Sequence, residues 1–296
     1  MTDAPSATPA LLRALRPRQW AKNVFVFAAL VFAGRLSDHA AVLHVLGAFA
    51  VFCALSSAVY LVNDVRDVEA DRAHPEKRLR AIAAGEVAPG VALALSVVLA
   101  TAALAGAFAL SFGLGLIAVA YLVLNFLYSM GLKRVVILDV MMVAAGFLLR
   151  AIAGATVIEV AISHWLILCT GLLALFLGFV KRRQELAARR EGAPTRAILR
   201  EYSLPFLDQM ISVVTGATVV AYSLYAFSPE VAQKLGTTHL GLTIPFVLFG
   251  IFRYLYLVHQ RGEGENPTTL VLTDPPLILD VALWAVAVLV ALYVWR

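Results

Sequence analysis

The sequence predicts an all-α protein that crosses a membrane nine times. Of its 296 residues, 61% are hydrophobic and only 15% are charged, whereas ordinary soluble domains carry about 25% charged residues. The mean hydropathy is +0.85. The apolar runs are separated by short charged loops, and most of them approach the roughly 20 residues that a helix needs to span a bilayer. Together these features exclude a soluble globular domain.

The predicted spans form one transmembrane domain over residues 11–296, preceded by a disordered tail over residues 1–10. The first span, 23–33, is short unless it begins near Pro17, where proline suits the first turn of a helix. The following spans are predicted at 41–62, 90–110, 113–130, 136–157, 163–181, 206–227, 240–258 and 276–295.

Basic residues on alternate loops orient these spans. One set of loops contains most of them: Arg66, Arg72, Lys77, Arg78, Arg80, Lys133, Arg134, Lys181, Arg182, Arg183, Arg189, Arg190, Arg196, Arg200 and Arg261. The other set is nearly bare of charge. Because cytoplasmic loops are enriched in Lys and Arg, we predict a multi-pass protein of the cell (inner) membrane with a cytoplasmic N-terminus and a charged face toward the cytoplasm. The net charge of +5 is then a topology signal, and no nucleic-acid partner is expected.

An acidic pattern follows directly after the second predicted span. Asn63, Asp67 and Asp71 are spaced at i, i+4 and i+8, and Asp64 lies three residues before Asp67. On a continuous helix this spacing places all four on one stripe. Hard oxygen ligands of this kind select Mg²⁺, which takes its remaining ligands from water and substrate phosphate. The stripe therefore predicts a magnesium-bound diphosphate site with Asp64, Asp67 and Asp71 as catalytic carboxylates; the alternative is a solvated, acidic helix end.

Several cations near the predicted span ends can contact phosphate oxygens, and arginine offers a bidentate fork for them. The candidates are Arg18, Lys22, Lys77, Lys133, Arg134, Lys181 and Arg182. Of these, Lys22, Lys133 and Lys181 are favoured because each sits next to the end of a span. The alternative for most of them is that they anchor the topology and contact anionic membrane lipids.

Polar residues inside the spans are a second group of candidates, because ionisable groups in a membrane default to a functional hypothesis. Asp139, near the start of the fifth span, is predicted to reach the charged face. Asn125 and Tyr128 are one helical turn apart and are predicted either to line the substrate cavity or to form structural hydrogen bonds. Arg150 is deeper and is expected either to snorkel toward the membrane surface or to pair inside the bundle. Asp208 either faces the charged side or serves its helix N-terminus.

Other chemistries have no support in the sequence. The six histidines show no paired ligand spacing, so a histidine-bound zinc site is not expected. Neither the GxSxG nucleophile elbow nor the GxxxxGK[ST] phosphate loop occurs. The Asp-Asp loop followed by Thr-Gly that soluble phosphoribosyltransferases use is also missing. Any phosphoribosyl chemistry would therefore rest on a membrane scaffold.

The nine spans and the Asn-Asp-x-x-Asp-x-x-x-Asp pattern resemble the UbiA-type intramembrane prenyltransferase superfamily. Within it, several segments are similar to the phosphoribosyltransferases that act on decaprenyl phosphate. These segments are Arg16-Pro-Arg-Gln-Trp-Ala-Lys-Asn23, Ala58-Val-Tyr-Leu-Val-Asn-Asp-Val-Arg-Asp-Val-Glu-Ala-Asp-Arg72, His74-Pro-Glu-Lys-Arg78, Ile82-Ala-Ala-Gly85, Leu149-Arg-Ala-Ile-Ala-Gly154 and Lys181-Arg-Arg-Gln-Glu-Leu186. The resemblance implies an all-helical bundle around a central cavity that opens to lipid, beneath a cytoplasmic polar cap.

One departure from the superfamily bears on the substrate. The superfamily carries a second Asp-rich motif after the sixth span, where this chain has Lys181-Arg-Arg-Gln-Glu185. Phosphate binding by cations is favoured there over a second carboxylate-bound Mg²⁺. Such a change is expected if the donor is phosphoribosyl diphosphate, which carries one more phosphate than a prenyl diphosphate.

The resemblance implies a Mg²⁺-dependent membrane glycosyltransferase. It would transfer 5-phosphoribosyl from phosphoribosyl diphosphate to a polyprenyl (decaprenyl) phosphate for cell-wall precursor synthesis. Two alternatives remain: a prenyltransferase that joins a polyprenyl diphosphate to an aromatic acceptor, and a transporter with an intramembrane ion site. The oligomeric state stays open, and a homo-oligomer is compatible with the sequence.

Overall fold

The polypeptide in the computed structural model is helical, and residues 9–74, 76–188, 197–262 and 267–295 are described. No strand occurs within these ranges. The predicted tail falls mostly outside them, and the first helix begins at Ala10. The helices in chain order are α1 Ala10–Ala14, α2 Ala28–Phe32, α3 His39–Arg66, α4 Val68–Arg72, α5 Pro89–Leu110, α6 Phe112–Met130, α7 Leu138–Val157, α8 His164–Ala187, α9 Leu204–Phe227, α10 Pro229–Leu235, α11 Ile244–Gln260, α12 Pro267–Thr273 and α13 Pro275–Tyr293.

Eight helical segments in the described part of the chain are long and apolar enough to cross a membrane. Seven are α3, α5, α6, α7, α8, α9 and α13; the eighth joins the 3-10 helix His239–Thr243 to α11. The all-α membrane fold is thus confirmed, and the eight segments match the predicted spans after the first within a few residues at most ends.

The first predicted span takes a different form. It is an irregular segment in which a 3-10 helix, Pro17–Phe27, is followed by the short α2. Its backbone lies directly against α7: a Cβ added to Gly154 would stand 1.8 Å from the carbonyl oxygen of Val26. The side chain of Asn23 is fully buried in the same contact. Tertiary contacts with α3 and α7 determine the conformation of this segment. The apolar residues of the segment alone could not predict these contacts.

Helix α3 is the central helix of the N-terminal half. Over half of its most apolar window, 56%, is buried, compared with 22% for α5 and α6. The latter two therefore present most of their apolar surface outward, as helices in contact with lipid do. A buried core of α3, α5, α6 and α7 side chains, which includes Phe52 and Tyr121, fills the first half of the bundle. A second core joins α8, α9 and α11.

The chain connections bring several helix ends to one face. The C-terminal ends of α3, α6 and α8 meet the N-terminal ends of α7 and α9, as shown by polar contacts between their terminal residues. Three short 3-10 helices, Lys77–Leu79, Leu132–Arg134 and Ala197–Arg200, lie at the same side. We call this side, with the residues described below, the charged face.

Candidate active site at the charged face

The acidic pattern lies at the junction of α3 and α4. Backbone hydrogen bonds continue through the junction, from Asp67 to the carbonyl of Asn63 at 2.9 Å and from Asp71 to that of Asp67 at 2.8 Å. Asp67 itself has φ −97° and ψ 10°, in the sparsely populated bridge region where many active-site residues are found. The predicted helical spacing is therefore retained across the junction.

The four side chains do not form the single stripe that the spacing predicts. They form two pairs with different partners: Asp64 with Asp71, and Asn63 with Asp67. The reason is geometric: at 3.6 residues per turn the four side chains spread over an arc of about 100°, with Asn63 and Asp67 toward one edge and Asp71 and Asp64 toward the other. The four residues thus share one broad side of the helix as the spacing predicts, but the prediction that they act as one stripe was wrong, because the two edges contact different neighbours.

Asp64 and Asp71 are buried and neutralised by arginines. The Arg80 guanidinium donates from Nη1 to Asp64 at 3.2 Å and to Asp71 at 2.6 Å. Arg16 forms a two-pronged contact with Asp64, with Nε at 3.1 Å and Nη2 also paired. Arg16 has a positive φ of 55°, which is uncommon for a residue other than glycine. These contacts border a cavity of about 250 Å³ that Arg13 and Glu76 also line.

Asn63 and Asp67 face a different neighbour, the end of α6 and the loop after it. Ser129 donates from Oγ to the amide oxygen of Asn63 at 3.0 Å. The Asp67 side chain is 50% exposed, and its carboxylate lies 4.0 Å from Nζ of Lys133. This pair is accessible, whereas the first pair is enclosed by arginines.

The donor set suits Mg²⁺ that arrives with a phosphate ligand. In the described residues no group of three or more His, Cys, Asp or Glu side chains is positioned to hold a metal ion by itself. Magnesium, however, usually takes only one or two carboxylates and completes its shell with water and substrate phosphates. The exposed carboxylate of Asp67 and the amide oxygen of Asn63 fit that role as they stand. Asp64 and Asp71 fit it once their arginines have another anion to contact.

A second polar cluster connects α7, α8 and the segment before α9. Asp139, fully buried, accepts from Nε of Arg182 at 2.6 Å and from the hydroxyl of Tyr202 at 2.7 Å. Arg182 also contacts Glu185 at 2.7 Å and the hydroxyl of Tyr128 at 3.5 Å. The pKa of Tyr202 is raised above its ordinary value, mainly by burial and secondly by the hydrogen bond to the Asp139 carboxylate. The phenol therefore remains a proton donor at neutral pH.

This cluster revises what the sequence suggested for Asp139 and Arg182. Asp139 does lie beneath the charged face as predicted, but its carboxylate is enclosed by protein donors. Arg182 was predicted to bind phosphate, and its side chain is 4% exposed and committed to two carboxylates. Asn125 donates to the carbonyl of Tyr121 in its own helix at 2.8 Å, which is the structural alternative for that residue.

The remaining predicted cations lie around the charged face. Arg18 and Arg134 are exposed, while Lys22, Lys77 and Lys181 are partly buried. Lys181 lies 4.0 Å from Glu185. Their contacts with substrate stay predictions.

Two other ionisable residues have structural partners. Arg150 is buried in the bundle, where it donates to Asn23 at 2.7 Å, to the carbonyl of Gly146 at 2.7 Å and to the hydroxyl of Tyr121 at 2.9 Å. It thereby ties the first segment to α7, as expected for a deep arginine that pairs internally. Asp208 accepts from Arg183 at 2.7 Å, so it faces the charged side.

Sequence reasoning missed Arg16, Arg80 and Tyr202 as members of the site. Arg16 begins the basic segment over residues 16–23, and Arg80 belongs to the basic run after the acidic pattern. The sequence therefore showed both charges, but not the carboxylates that they contact. Tyr202 lies between α8 and α9 and carries no motif. Only the folded chain brings these three residues to the carboxylates.

The bundle is all-α, and its carboxylates and arginines meet at one end of the helices. These features are those of an intramembrane enzyme that acts on phosphorylated substrates. The chain belongs to the UbiA prenyltransferase family, whose model matches residues 23–273. The eight apolar helices found in the described ranges, together with this family, make it a multi-pass membrane protein.

The comparisons also identify close relatives in sequence and in fold. The chain is 38% identical to the decaprenyl-phosphate phosphoribosyltransferase of Mycolicibacterium smegmatis, over 96% of this chain and 92% of that protein. It is 40% identical to the protein of the same name from Mycobacterium tuberculosis, over 94% and 92%. A UbiA homologue from Archaeoglobus fulgidus, solved bound to DMAPP and Mg²⁺, has the same fold with a TM-score of 0.73 at 17% identity, covering 97% of this chain and 100% of that one.

Proposed function

We propose that this protein transfers the 5-phosphoribosyl group of phosphoribosyl diphosphate to a polyprenyl phosphate and releases diphosphate. The observation that carries the proposal is the combination of an accessible carboxylate and amide, Asp67 and Asn63, whose oxygens suit Mg²⁺, with several cations at the same face. The names and near full-length coverage of the mycobacterial relatives support the same reaction. A donor with a diphosphate and a further phosphate needs both a metal and several cations.

The acidic junction is the proposed site for the diphosphate. Asn63, Asp64, Asp67 and Asp71 would hold Mg²⁺, with Asp67 available without rearrangement. The bound metal would supply neutralisation of the charge that develops on the leaving diphosphate, which is the main catalytic demand of this reaction. Lys133, opposite Asp67, is placed to contact a phosphate oxygen between them.

The arginines supply the second part of the proposed donor site. Arg16 and Arg80 border the cavity beside Asp64 and neutralise buried carboxylates. When a phosphate enters, its oxygens can replace the carboxylates as acceptors for the guanidinium groups. The released carboxylates are then free to act as metal ligands. Arg18, Lys22, Lys77, Arg134 and Lys181 are proposed as further contacts with the donor or with anionic lipids.

The acceptor needs no general base in this proposal, because a phosphate ester is already ionised at pH 7. One of its oxygens attacks C1 of the ribose as the bond from C1 to the diphosphate breaks. Holding both substrates at one face converts the encounter into an effectively unimolecular step. The polyprenyl tail would lie along the apolar outer surface of the helices, within the membrane.

We place the charged face and the N-terminus in the cytoplasm, on the basis of the loop charges. A cysteine introduced beside Arg134, which is exposed at the charged face, tests this orientation. It should react with a membrane-impermeant thiol reagent only after the cells are opened. Labelling of this cysteine in intact cells would show that the charged face lies outside the cytoplasm.

A transfer assay tests the function itself. Purified protein is incubated with Mg²⁺, labelled phosphoribosyl diphosphate and polyprenyl phosphate, and the lipid fraction is examined for label. Labelled lipid is expected, and none should form when Mg²⁺ is removed with a chelator. The matched reaction contains a polyprenyl diphosphate and 4-hydroxybenzoate. Product from that pair alone would assign the protein to aromatic prenyl transfer.

A further inference from the structure

The loop between α6 and α7 carries Lys133 to the acidic junction, and its conformation is unusual. It contains the 3-10 helix Leu132–Arg134 and ends at Ile137, which has a φ of 69° and a ψ of −45°. A positive φ is an outlier for a β-branched residue. Such backbone conformations persist only where the surroundings determine them more strongly than local preference does.

Tyr202 is the residue that holds this backbone. Its hydroxyl accepts a hydrogen bond from the N–H of Ile137 at 2.7 Å and donates one to Asp139 at 2.7 Å. Asp139 is in turn fixed by Arg182 at 2.6 Å. One phenolic oxygen thus connects the strained Ile137 to Asp139 at the start of α7, and Asp139 connects it further to the end of α8.

Ile137, which Tyr202 holds, lies only four residues after Lys133, which faces the proposed donor site. Ile137 ends the loop in which Lys133 lies 4.0 Å from Asp67. The turn around Lys133 also packs against Ala197–Arg200, the segment that leads to Tyr202. Without the hydrogen bond to Tyr202, Ile137 can return to an ordinary conformation, and Lys133 then loses its fixed distance from Asp67.

We propose that Tyr202 is a positioning residue for the phosphoribosyl diphosphate site, which acts by fixing the loop that presents Lys133 to Asp67. The proposal rests on the function proposed above and adds a residue that does not itself contact substrate. It makes a specific statement about kinetics: loss of the hydroxyl weakens use of the donor and leaves use of the lipid acceptor unchanged.

The chain provides a matched control for the removal of this hydroxyl. Tyr202 and Tyr254 belong to the same buried core. The Tyr254 hydroxyl is buried and, within the described parts of the chain, has no hydrogen-bond partner. Tyr202→Phe and Tyr254→Phe therefore remove the same atom from the same core, but only the first removes hydrogen bonds. The ring of Tyr202, stacked on Phe206, is retained.

The test measures steady-state kinetics for both substrates in wild type, both phenylalanine variants, Lys133→Ala and the double variant Tyr202→Phe/Lys133→Ala. We expect Tyr202→Phe to raise the KM for phosphoribosyl diphosphate about tenfold, as loss of one contact to a charged group does. The KM for polyprenyl phosphate should not change, and Tyr254→Phe should match wild type. The double variant should be no worse than Lys133→Ala, because residues that act through one another are not additive.

Three results would overturn the positioning role while leaving the proposed function standing. They are a Tyr202→Phe variant with wild-type kinetics, a Lys133→Ala variant with wild-type kinetics, and a double variant whose losses add. A fall in kcat with equal rises in both KM values would likewise show a general structural role.

A calorimetric measurement of donor binding, with Mg²⁺ present, separates the two proposals. If wild type binds phosphoribosyl diphosphate without transferring it, the proposed reaction is wrong, and the dissociation constants of the same variants test the positioning role. If wild type neither binds nor transfers it, both proposals are overturned.

Discussion

Arg80 neutralises two buried carboxylates, and its replacement tests whether that contact stabilises the protein before substrate binds. Its Nη1 atom lies 3.2 Å from Asp64 and 2.6 Å from Asp71, whose side chains are 6% and 5% exposed. Breaking a fully buried ion pair costs about 3–5 kcal/mol, because the remaining charge is left unpaired. The Arg80 side chain is 30% exposed, so solvent screens part of this energy. We expect Arg80→Gln to lower the free energy of unfolding by about 2 kcal/mol.

Thermal unfolding of the purified protein measures this effect. A loss of that size corresponds to a fall in the melting temperature of about 3 °C for a chain of this length. Arg78→Gln is the matched control, because Arg78 is exposed on the 3-10 helix Lys77–Leu79, which ends directly before Arg80. The double variant Arg80→Gln/Asp71→Asn should recover much of the loss, since it removes the carboxylate that the single variant leaves unpaired.

Donor binding by the same variants separates the two roles assigned to Arg80. If Arg80 contacts phosphate, Arg80→Gln weakens binding of phosphoribosyl diphosphate at a temperature where the variant is fully folded, whereas Arg78→Gln binds it as wild type does. An Arg80→Gln variant that unfolds at the same temperature as Arg78→Gln would contradict the stabilising role. Wild-type donor affinity in Arg80→Gln would restrict Arg80 to a structural role.

Lys181→Ala should weaken binding of phosphoribosyl diphosphate more than that of the lipid, and equal effects would count against a donor contact. Gly154→Ala should destabilise the protein by about 1–3 kcal/mol, because the added methyl meets a neighbouring backbone oxygen. Gly216→Ala, which meets nothing, should stabilise its helix by up to about 1 kcal/mol. The hydrogen bond from Arg253 lowers the pKa of Asp274 from its ordinary value. The resulting stabilisation should be complete near neutral pH, begin to fall below about pH 4 and be lost as the pH passes through the lowered pKa; Asp274→Asn should flatten that acid-side loss.

Composition and run length predicted the membrane helices because both are local properties of the sequence. Each span after the first satisfies its own backbone hydrogen bonds, so its apolar length suffices to identify it. The first segment fails this test. Its 3-10 helix depends on Gly154, which admits the backbone of Val26, and on the buried contact between Asn23 and Arg150. None of these long-range contacts is encoded in the local pattern.

The candidate site was predictable in its residue types and only partly in its geometry. Helical spacing predicted one stripe of Asn63, Asp64, Asp67 and Asp71, but it could not report that Asn63 and Asp67 contact other neighbours than Asp64 and Asp71 do. Arginines far along the chain decide that, since one side of the helix meets Arg80 and the other meets the loop after α6. The position of an arginine relative to the end of a span likewise does not tell whether its side chain is buried against carboxylates, as that of Arg182 is, or is available to bind phosphate.

Magnesium-dependent donor binding is the most direct test of the central claim that the acidic junction holds the metal and the diphosphate. Asp67→Asn changes an exposed carboxylate and should leave the fold and membrane insertion intact. Glu69→Gln, an equally exposed change two residues away, is the control. We expect wild type and Glu69→Gln to bind phosphoribosyl diphosphate only with Mg²⁺, and Asp67→Asn neither to bind it nor to turn over. If Asp67→Asn keeps wild-type magnesium dependence and full activity, the acidic junction does not hold the metal.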